Sequence, residues 1–405
     1  MEPKKADHQV NIVCLGEPRV HTNADSLELF DVQGYQVVTR KGTFKAGDLA
    51  VYIQPDSVVP QTEPFRFIWE PYLAGVNGPG GAPDSVVPER RRRITCKRLR
   101  KEYSEGLIMP LSDFPQIYSG DSRKGDFPDN QYMVNVGHDV SDILGITHYE
   151  GDQAVESTES DSTSSKPKFR YPKTLRGWFY WALYKIGFKG ARRNMNEELS
   201  FDVPKFDVEN FKNHKKVLID GEPVIVTEKI HGSQARYVYK DGQMYAGSRN
   251  FWKSPDSPCV WRKALAQNPW IGTWCRGNEG AVLYGEVVPT QKGYTYGCKS
   301  GEVKFFVFDI RGVDGEYLPK TDVIHGNWGN WSTLPGAVAV PVLAEGAYHE
   351  DAVKGAVEGV SAVDGKTQRE GIVITATTPG RWARGIGRIQ LKWKSSAFLE
   401  KEGNR

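Results

Sequence analysis

Cysteine is scarce and dispersed. The chain has five (Cys14, Cys96, Cys259, Cys275 and Cys298), an odd number with no CxxC pair. That pattern argues against a disulfide framework or a zinc site and suits a reducing compartment. Long apolar runs are lacking too. The most apolar segment, LRGWFYWALYKIGF from Leu175 to Phe188, is too short to span a bilayer and carries Arg176 and Lys185. Its aromatics read as a helix packed on the body of the protein. The start, MEPKKADHQV, lacks the apolar stretch of a secretory signal. A large excess of one charge is also absent, since 53 Lys and Arg against 50 Asp and Glu leave a net charge of +3. No overall field advertises a polyanionic partner, so local clustering has to carry any such role. The expectation is a cytoplasmic protein with no membrane segment.

What the chain does have is length and strands. Its 405 residues, 39% of them apolar, are enough for two domains with separate cores. The first third holds short strand candidates, LELFDVQGYQVVT, DLAVYIQP and EGLIMPL, separated by Gly, Pro and Asp. Without a clear helical period, this suggests a small β-barrel such as an OB-fold over residues 1–150. Composition then shifts to GDQAVESTESDSTSSKPK at 151–168, where large apolar residues nearly vanish. That is a linker signature. Residues 169–405 favour strands again: PVIVTEKI, ARYVYK, AVLYGEVV, VKFFVFDI, GIVITAT and RIQLKWKS. Helices are expected between Asp256 and Gln267 and between Ala352 and Ala362. The fold class is α+β, with mostly antiparallel sheets.

Within this second domain IVTEKIHGSQARYVY reads as a strand on each side of a tight turn, with Lys229 at a strand end beside His231 and Gly232. Further charged or aromatic clusters follow at strands: YAGSRN with Arg249, VLYGEVV with Glu286, KFFVFDI with Phe305 and Asp309, REGIVI with Glu370, and LKWKS with Lys392 and Lys394. Strand alternation puts Lys392 and Lys394 on one face and Trp393 on the other. Two adjacent cations repel unless an anion lies between them, and a phosphate suits that place.

This ordered set resembles the covalent nucleotidyltransferase superfamily of RNA ligases, DNA ligases and capping enzymes. EKIHG is similar to motif I in the K-x-H-G form of the RNA ligase branch. SRN, YGEVV, KFFVFDI, EGIVI and LKWKS resemble motifs Ia, III, IIIa, IV and V, in order, from Pro223 to Ser395. One motif alone is weak; six in sequence are a strong signal. GDLAVYIQPDSVVP and RRRITCKRLRKEYSEGLIMPL resemble the N-terminal OB domain of the Deinococcus-type RNA ligases, in which the OB module precedes a nucleotidyltransferase (ATP-grasp-like) domain.

The resemblance implies an ATP-dependent ligase, a monomer that joins 3′-OH and 5′-phosphate RNA ends at nicks in RNA or RNA/DNA duplexes. Lys229 would attack the ATP α-phosphate to give a covalent lysyl-AMP, assisted by Lys392, Lys394 and Mg²⁺ or Mn²⁺. Glu228 would accept a hydrogen bond from the adenine amino group, Phe305 would stack on the purine, and Ile230 and Gly232 would line the nucleotide pocket. Glu286 and Glu370 would hold the ribose or the hydrated metal. Arg249 would contact the sugar or the RNA-end phosphate. His231 would act in nucleotide transfer and sealing, and Asp309 would support the fold.

Arg90, Arg91, Arg92, Arg93, Lys97, Arg98, Arg100 and Lys101 make eight basic residues out of twelve, with Ile94 and Leu99 as apolar anchors. On an OB-type barrel such a strip suits a groove that tracks a nucleic-acid backbone. A second cluster at Lys185, Lys189, Arg192 and Arg193 would extend the track or form an exposed helix end. The competing readings are a DNA ligase or capping guanylyltransferase, against which the K-x-H-G form and leading OB domain speak, and a non-catalytic RNA-binding protein, against which the retained lysines speak.

Overall fold

The computed structural model describes residues 10–77, 86–117, 135–149, 196–197, 199, 201–327, 334–384 and 386–403. The linker segment 151–168, the aromatic segment 175–188, the Lys185–Arg193 cluster, and Trp328 and Trp331 lie outside them. Among the described residues no helix is long and apolar enough to cross a membrane. The chain divides into two compact units. One comprises Met1–Glu150, Val208–Ile230 and Pro341–Arg405, the other Gly151–Asp207 and His231–Val340.

In the first unit, the N-terminal part is built from antiparallel strands. Val10–Cys14, Leu49–Ile53 and Leu107–Pro110 form one three-stranded sheet, and Arg19–Val20, Leu27–Val32 and Tyr35–Arg40 another. Both faces of the Leu49–Ile53 strand are covered. Val51 and Ile53 join one apolar cluster with Phe65, Met109 and Phe114, while Ala50 and Tyr52 join a second with Phe30, Val37 and Ile108. This explains why AVYI reads as a continuous apolar run instead of an alternating one. The expectation of strands without helices is corrected, because Glu89–Arg92 and Ser141–Leu144 are short helices and Arg66–Asn77 is a longer one. Pro71 inside it and the short apolar stretch around it hide the helical period.

The same unit holds a five-stranded sheet in the order Glu209–Asn210, Gln390–Lys394, Gly371–Ala376, Pro223–Lys229 and Val342–Ala347. All pairs are antiparallel except the first. One face packs Val224, Val226, Ile372, Ile374 and Leu391 into a core. Trp393 belongs to that face and stacks on Phe211 with ring centroids 4.4 Å apart.

The second unit is a six-stranded sheet ordered Asn196–Glu197, Trp252–Lys253, Gln243–Ser248, Ser233–Lys240, Val282–Val288 and Lys304–Arg311. The helices Val260–Gln267 and Pro269–Gly277 contribute Trp261, Trp270, Ile271 and Trp274 to a core with Tyr237, Leu283, Phe305 and Val307. The strands flanking the K-x-H-G segment do not pair with each other. Pro223–Lys229 ends in the five-stranded sheet and Ser233–Lys240 begins in the six-stranded one, so Ile230–Gly232 is a crossover and not the hairpin turn its sequence suggests.

Candidate active site

Register in the five-stranded sheet assembles the cations. Lys229 lies opposite Gly371, and Gly371 opposite Lys394. One row further, Thr227 faces Val373 and Val373 faces Lys392. Residues paired directly across antiparallel strands share a face, so Lys229, Lys392 and Lys394 project from the same side, in adjacent rows. The opposite side carries Trp393 in the apolar core. The sequence alternation at LKWKS is therefore realised, and three cations from two strands occupy one surface.

Lys229 is a quarter exposed, and its Nζ sits 2.8 Å from Oε1 of Glu370, which is almost fully buried. Glu370 directly precedes the Gly371–Ala376 strand and is held beside the nucleophile candidate by chain connectivity. Gly371 is required by its neighbours: a Cβ there would lie 2.1 Å from the Trp393 carbonyl oxygen.

Glu228 leaves the strand on the face opposite Lys229. It is 1% exposed, and its Oε2 accepts a hydrogen bond from the Ala362 N–H at 2.7 Å. Oε1 is buried without a hydrogen-bond partner. Burial pushes this carboxyl above the usual glutamate range, against the lowering effect of Ser361 and Ala362. A ligand touching both Glu228 and Lys229 would have to lie across the strand's end. Ile230, next in the chain, is buried.

In the second unit, the Gly232 N–H donates to Oε1 of Glu286 at 3.1 Å, and a Cβ on Gly232 would meet the Val287 carbonyl at 2.3 Å. The His231 N–H donates to the Tyr296 hydroxyl at 2.7 Å, and its ring meets Tyr294 edge-on at 4.6 Å. Sequence reasoning missed both tyrosines; they follow Gly293 and Thr295 in a stretch without strand or helix periodicity.

Phe305 does not fill the expected role. It is fully buried on the helix-covered face, edge-on to Tyr237 and stacked on Trp270 with centroids 5.8 Å apart. Its cross-strand partner is Val287, whereas Phe306 is paired with Glu286, and Glu286 with Gln234. The aromatic that shares a face with Glu286 is therefore Phe306. A one-residue choice in FFVF reverses the face. Asp309 is buried, and its Oδ1 accepts from the Ile310 N–H at 2.9 Å, a role within the fold. Arg249 is about half exposed and pairs with Asp207 at 2.6 Å, an ion pair that solvent weakens.

The basic strip separates into two groups. The Arg92 guanidinium donates to the carbonyls of Val87 and Val59, and Arg93 binds Asp56 and lies over the Tyr149 ring. These two are internal fastenings. Arg90, Arg91, Lys97, Arg98, Arg100 and Lys101 are exposed. Arg100 and Lys101, with φ of 48° and 78°, form the turn between the Lys97–Leu99 and Glu102–Ser104 strands. Ile94 is a buried anchor as expected, whereas Leu99 is 37% exposed.

A mixed α+β chain with a small β domain ahead of two mostly antiparallel sheets, and with a strand-end lysine on the same face as a lysine pair, defines a ligase-type nucleotidyltransferase architecture. Residues 222–394 match the RNA ligase family model, and residues 11–111 match an OB-fold domain model. No curated protein matches the sequence. Among solved structures, a Naegleria gruberi RNA ligase with pyrophosphate is 22% identical, with a TM-score of 0.65 over 98% of this chain and 99% of that one. A lysine-to-alanine variant of the Naegleria ligase with ATP and manganese is 23% identical, with a TM-score of 0.64 over 98% and 100%. At these identities the likeness establishes the fold.

Proposed function

We propose that the chain is an ATP-dependent RNA ligase of the Deinococcus-type arrangement, joining 3′-OH and 5′-phosphate ends at duplex nicks through an enzyme-bound lysyl-AMP. The observation that carries this reading is the row Lys229–Gly371–Lys394, with Lys392 beside it and Glu370 against the Lys229 amine. The Lys229 Nζ would attack the α-phosphorus of ATP, forming a phosphorus–nitrogen bond as the bond to pyrophosphate breaks. Glu370, 2.8 Å from the amine, would receive the proton it gives up. Lys392 and Lys394 would bind phosphoryl oxygens and offset their developing charge. The AMP then passes to the RNA 5′-phosphate, and the 3′-hydroxyl displaces it.

The unpartnered Oε1 of Glu228 fits the exocyclic amino group of adenine, which would satisfy a buried acceptor. Phe306, on the face of Glu286, replaces Phe305 as the ring offered to the purine. Among the described residues no three His, Cys, Asp or Glu side chains cluster as a metal cage. Glu370 in the first unit, and separately Glu286 in the second, are each carboxylates of the kind through which a hydrated magnesium-type ion is held. When bound, such an ion would neutralise charge on the phosphoryl oxygens. The six exposed basic residues would hold the nucleic-acid backbone.

The test is incubation with labelled ATP or GTP and a divalent cation, followed by denaturing electrophoresis. Label from ATP that is lost in Lys229→Ala is the expected result. Label from GTP would indicate capping chemistry, and label surviving in Lys229→Ala would remove the assignment.

A further inference from the structure

The N-terminal β domain reaches the cation-bearing sheet through a polar seam inside the first unit. Lys212 Nζ lies 2.6 Å from Glu105 Oε2, with both side chains nearly buried. The Tyr35 hydroxyl donates to Asn213 at 3.1 Å and accepts from Asn210 at 3.1 Å. These residues, with Asp56, Lys392 and Lys394, line a cavity of about 120 Å³. One contact in the seam touches the proposed chemistry directly: Asp56 Oδ2 is 3.8 Å from the Nζ of Lys394.

The backbone of Asp56 is held by the β domain. Its N–H donates to the Ile94 carbonyl at 2.8 Å, and its own carbonyl accepts from Tyr149 at 2.7 Å. Its backbone stands at a φ of +71°, a conformation aspartate tolerates better than most residues. The Arg93 guanidinium binds Oδ1, leaving Oδ2 turned to Lys394. Burial would push this carboxyl up, but Lys394 and Arg93 outweigh it and hold it below its ordinary range, so it stays charged. At 3.8 Å the contact to Lys394 is a charge contact longer than a hydrogen bond, strong enough to orient the ammonium and weak enough to yield it to a phosphate.

We propose that Asp56 is a positioning residue: through Lys394 the N-terminal domain sets where the second cation of the pair stands for the transfer of AMP. This rests on the lysyl-AMP reading above, and it gives the β domain a part in a step that needs no RNA. The experiment measures single-turnover formation of labelled protein–AMP against ATP concentration for the full chain, Asp56→Asn, Asp56→Glu, Lys394→Ala and Asp56→Asn/Lys394→Ala, with thermal melting of each.

In Asp56→Asn the rate at saturating ATP should fall about tenfold, equivalent to about 1.4 kcal/mol. The ATP concentration for half-maximal rate should change little, and Asp56→Glu should recover most of the loss. In the Lys394→Ala background Asp56→Asn should have no further effect. An equal further loss in that background would overturn the proposal, as would a wild-type rate in Asp56→Asn. If Asp56→Asn melts early, Asp56→Glu decides: a rate as low as that of Asp56→Asn, at wild-type melting, also overturns it. Absence of label in the unmutated protein would instead strike the lysyl-AMP reading itself.

Discussion

Gly371 offers the sharpest test of whether the three-lysine surface is a working site. It stands between Lys229 and Lys394 in one row of the sheet, and an alanine methyl there would sit 2.1 Å from the Trp393 carbonyl oxygen and 2.7 Å from the Lys394 Cα. A carbon–oxygen contact is comfortable at about 3.3 Å or more, so the Gln390–Lys394 strand must retreat by roughly 1 Å. Overpacking of this kind costs about 1–3 kcal/mol of stability. The same shift moves Lys394 away from Lys229, and a misplacement of about 1 Å in a positioned site costs roughly 10²-fold in rate. Single-turnover adenylylation of Gly371→Ala, measured below its melting temperature, should therefore be about a hundred times slower than in the parent. A variant that melts earlier but adenylylates at the parental rate would show that the close approach serves packing alone, and the reasoning about the shared face would fail.

Two further outcomes separate residues that sequence alone leaves ambiguous. Phe305→Ala should lose about 3–5 kcal/mol of stability in denaturant unfolding with unchanged ATP dependence, as expected for a ring removed from a full core, whereas Phe306→Ala, also a buried ring, should in addition raise the ATP concentration needed for half-maximal labelling. Unchanged ATP dependence in both variants would refute the assignment of faces. Glu228 predicts a pH effect. Because burial raises its folded-state value above the ordinary 4.5, the native state holds the proton more tightly. Stability from this group then falls as pH rises from about 4.5 through the raised value. Glu228→Gln should lack that slope in unfolding curves taken at several pH values, and parallel curves for the two proteins would contradict it.

The sequence made legible what depends on near neighbours in the chain. Strand alternation at LKWKS correctly separated Lys392 and Lys394 from Trp393, and the strands PVIVTEKI, VLYGEVV and GIVITAT all appear. Alternation failed where it had no fixed origin. In FFVF each aromatic is a plausible core residue, and only pairing with Val287 or Glu286 decides the face. It also failed at Ile230–Gly232, since two strands joined by three residues look alike whether they pair or enter different sheets. The helix Pro269–Gly277 went unread because its tryptophans and Pro269 give no polar face to set a period.

What no local pattern could supply is the environment of each charge. Eight basic residues within twelve positions look equivalent, yet Arg92 and Arg93 are occupied by carbonyls and by Asp56, so only the remaining six are exposed. Asp56 itself sits in a turn, QPDS, whose composition suggests nothing beyond a chain reversal. Its importance emerges from Lys394, 338 positions later, and from a register that aligns Lys394 with Lys229 through a glycine. The motif lysines can thus be read as a list from the chain, but the face they share exists only once strand pairing sets their spacing. If Asp56 does orient Lys394, that surface is completed by a residue outside the 222–394 ligase match, which would tie the β domain to the first step of the proposed reaction.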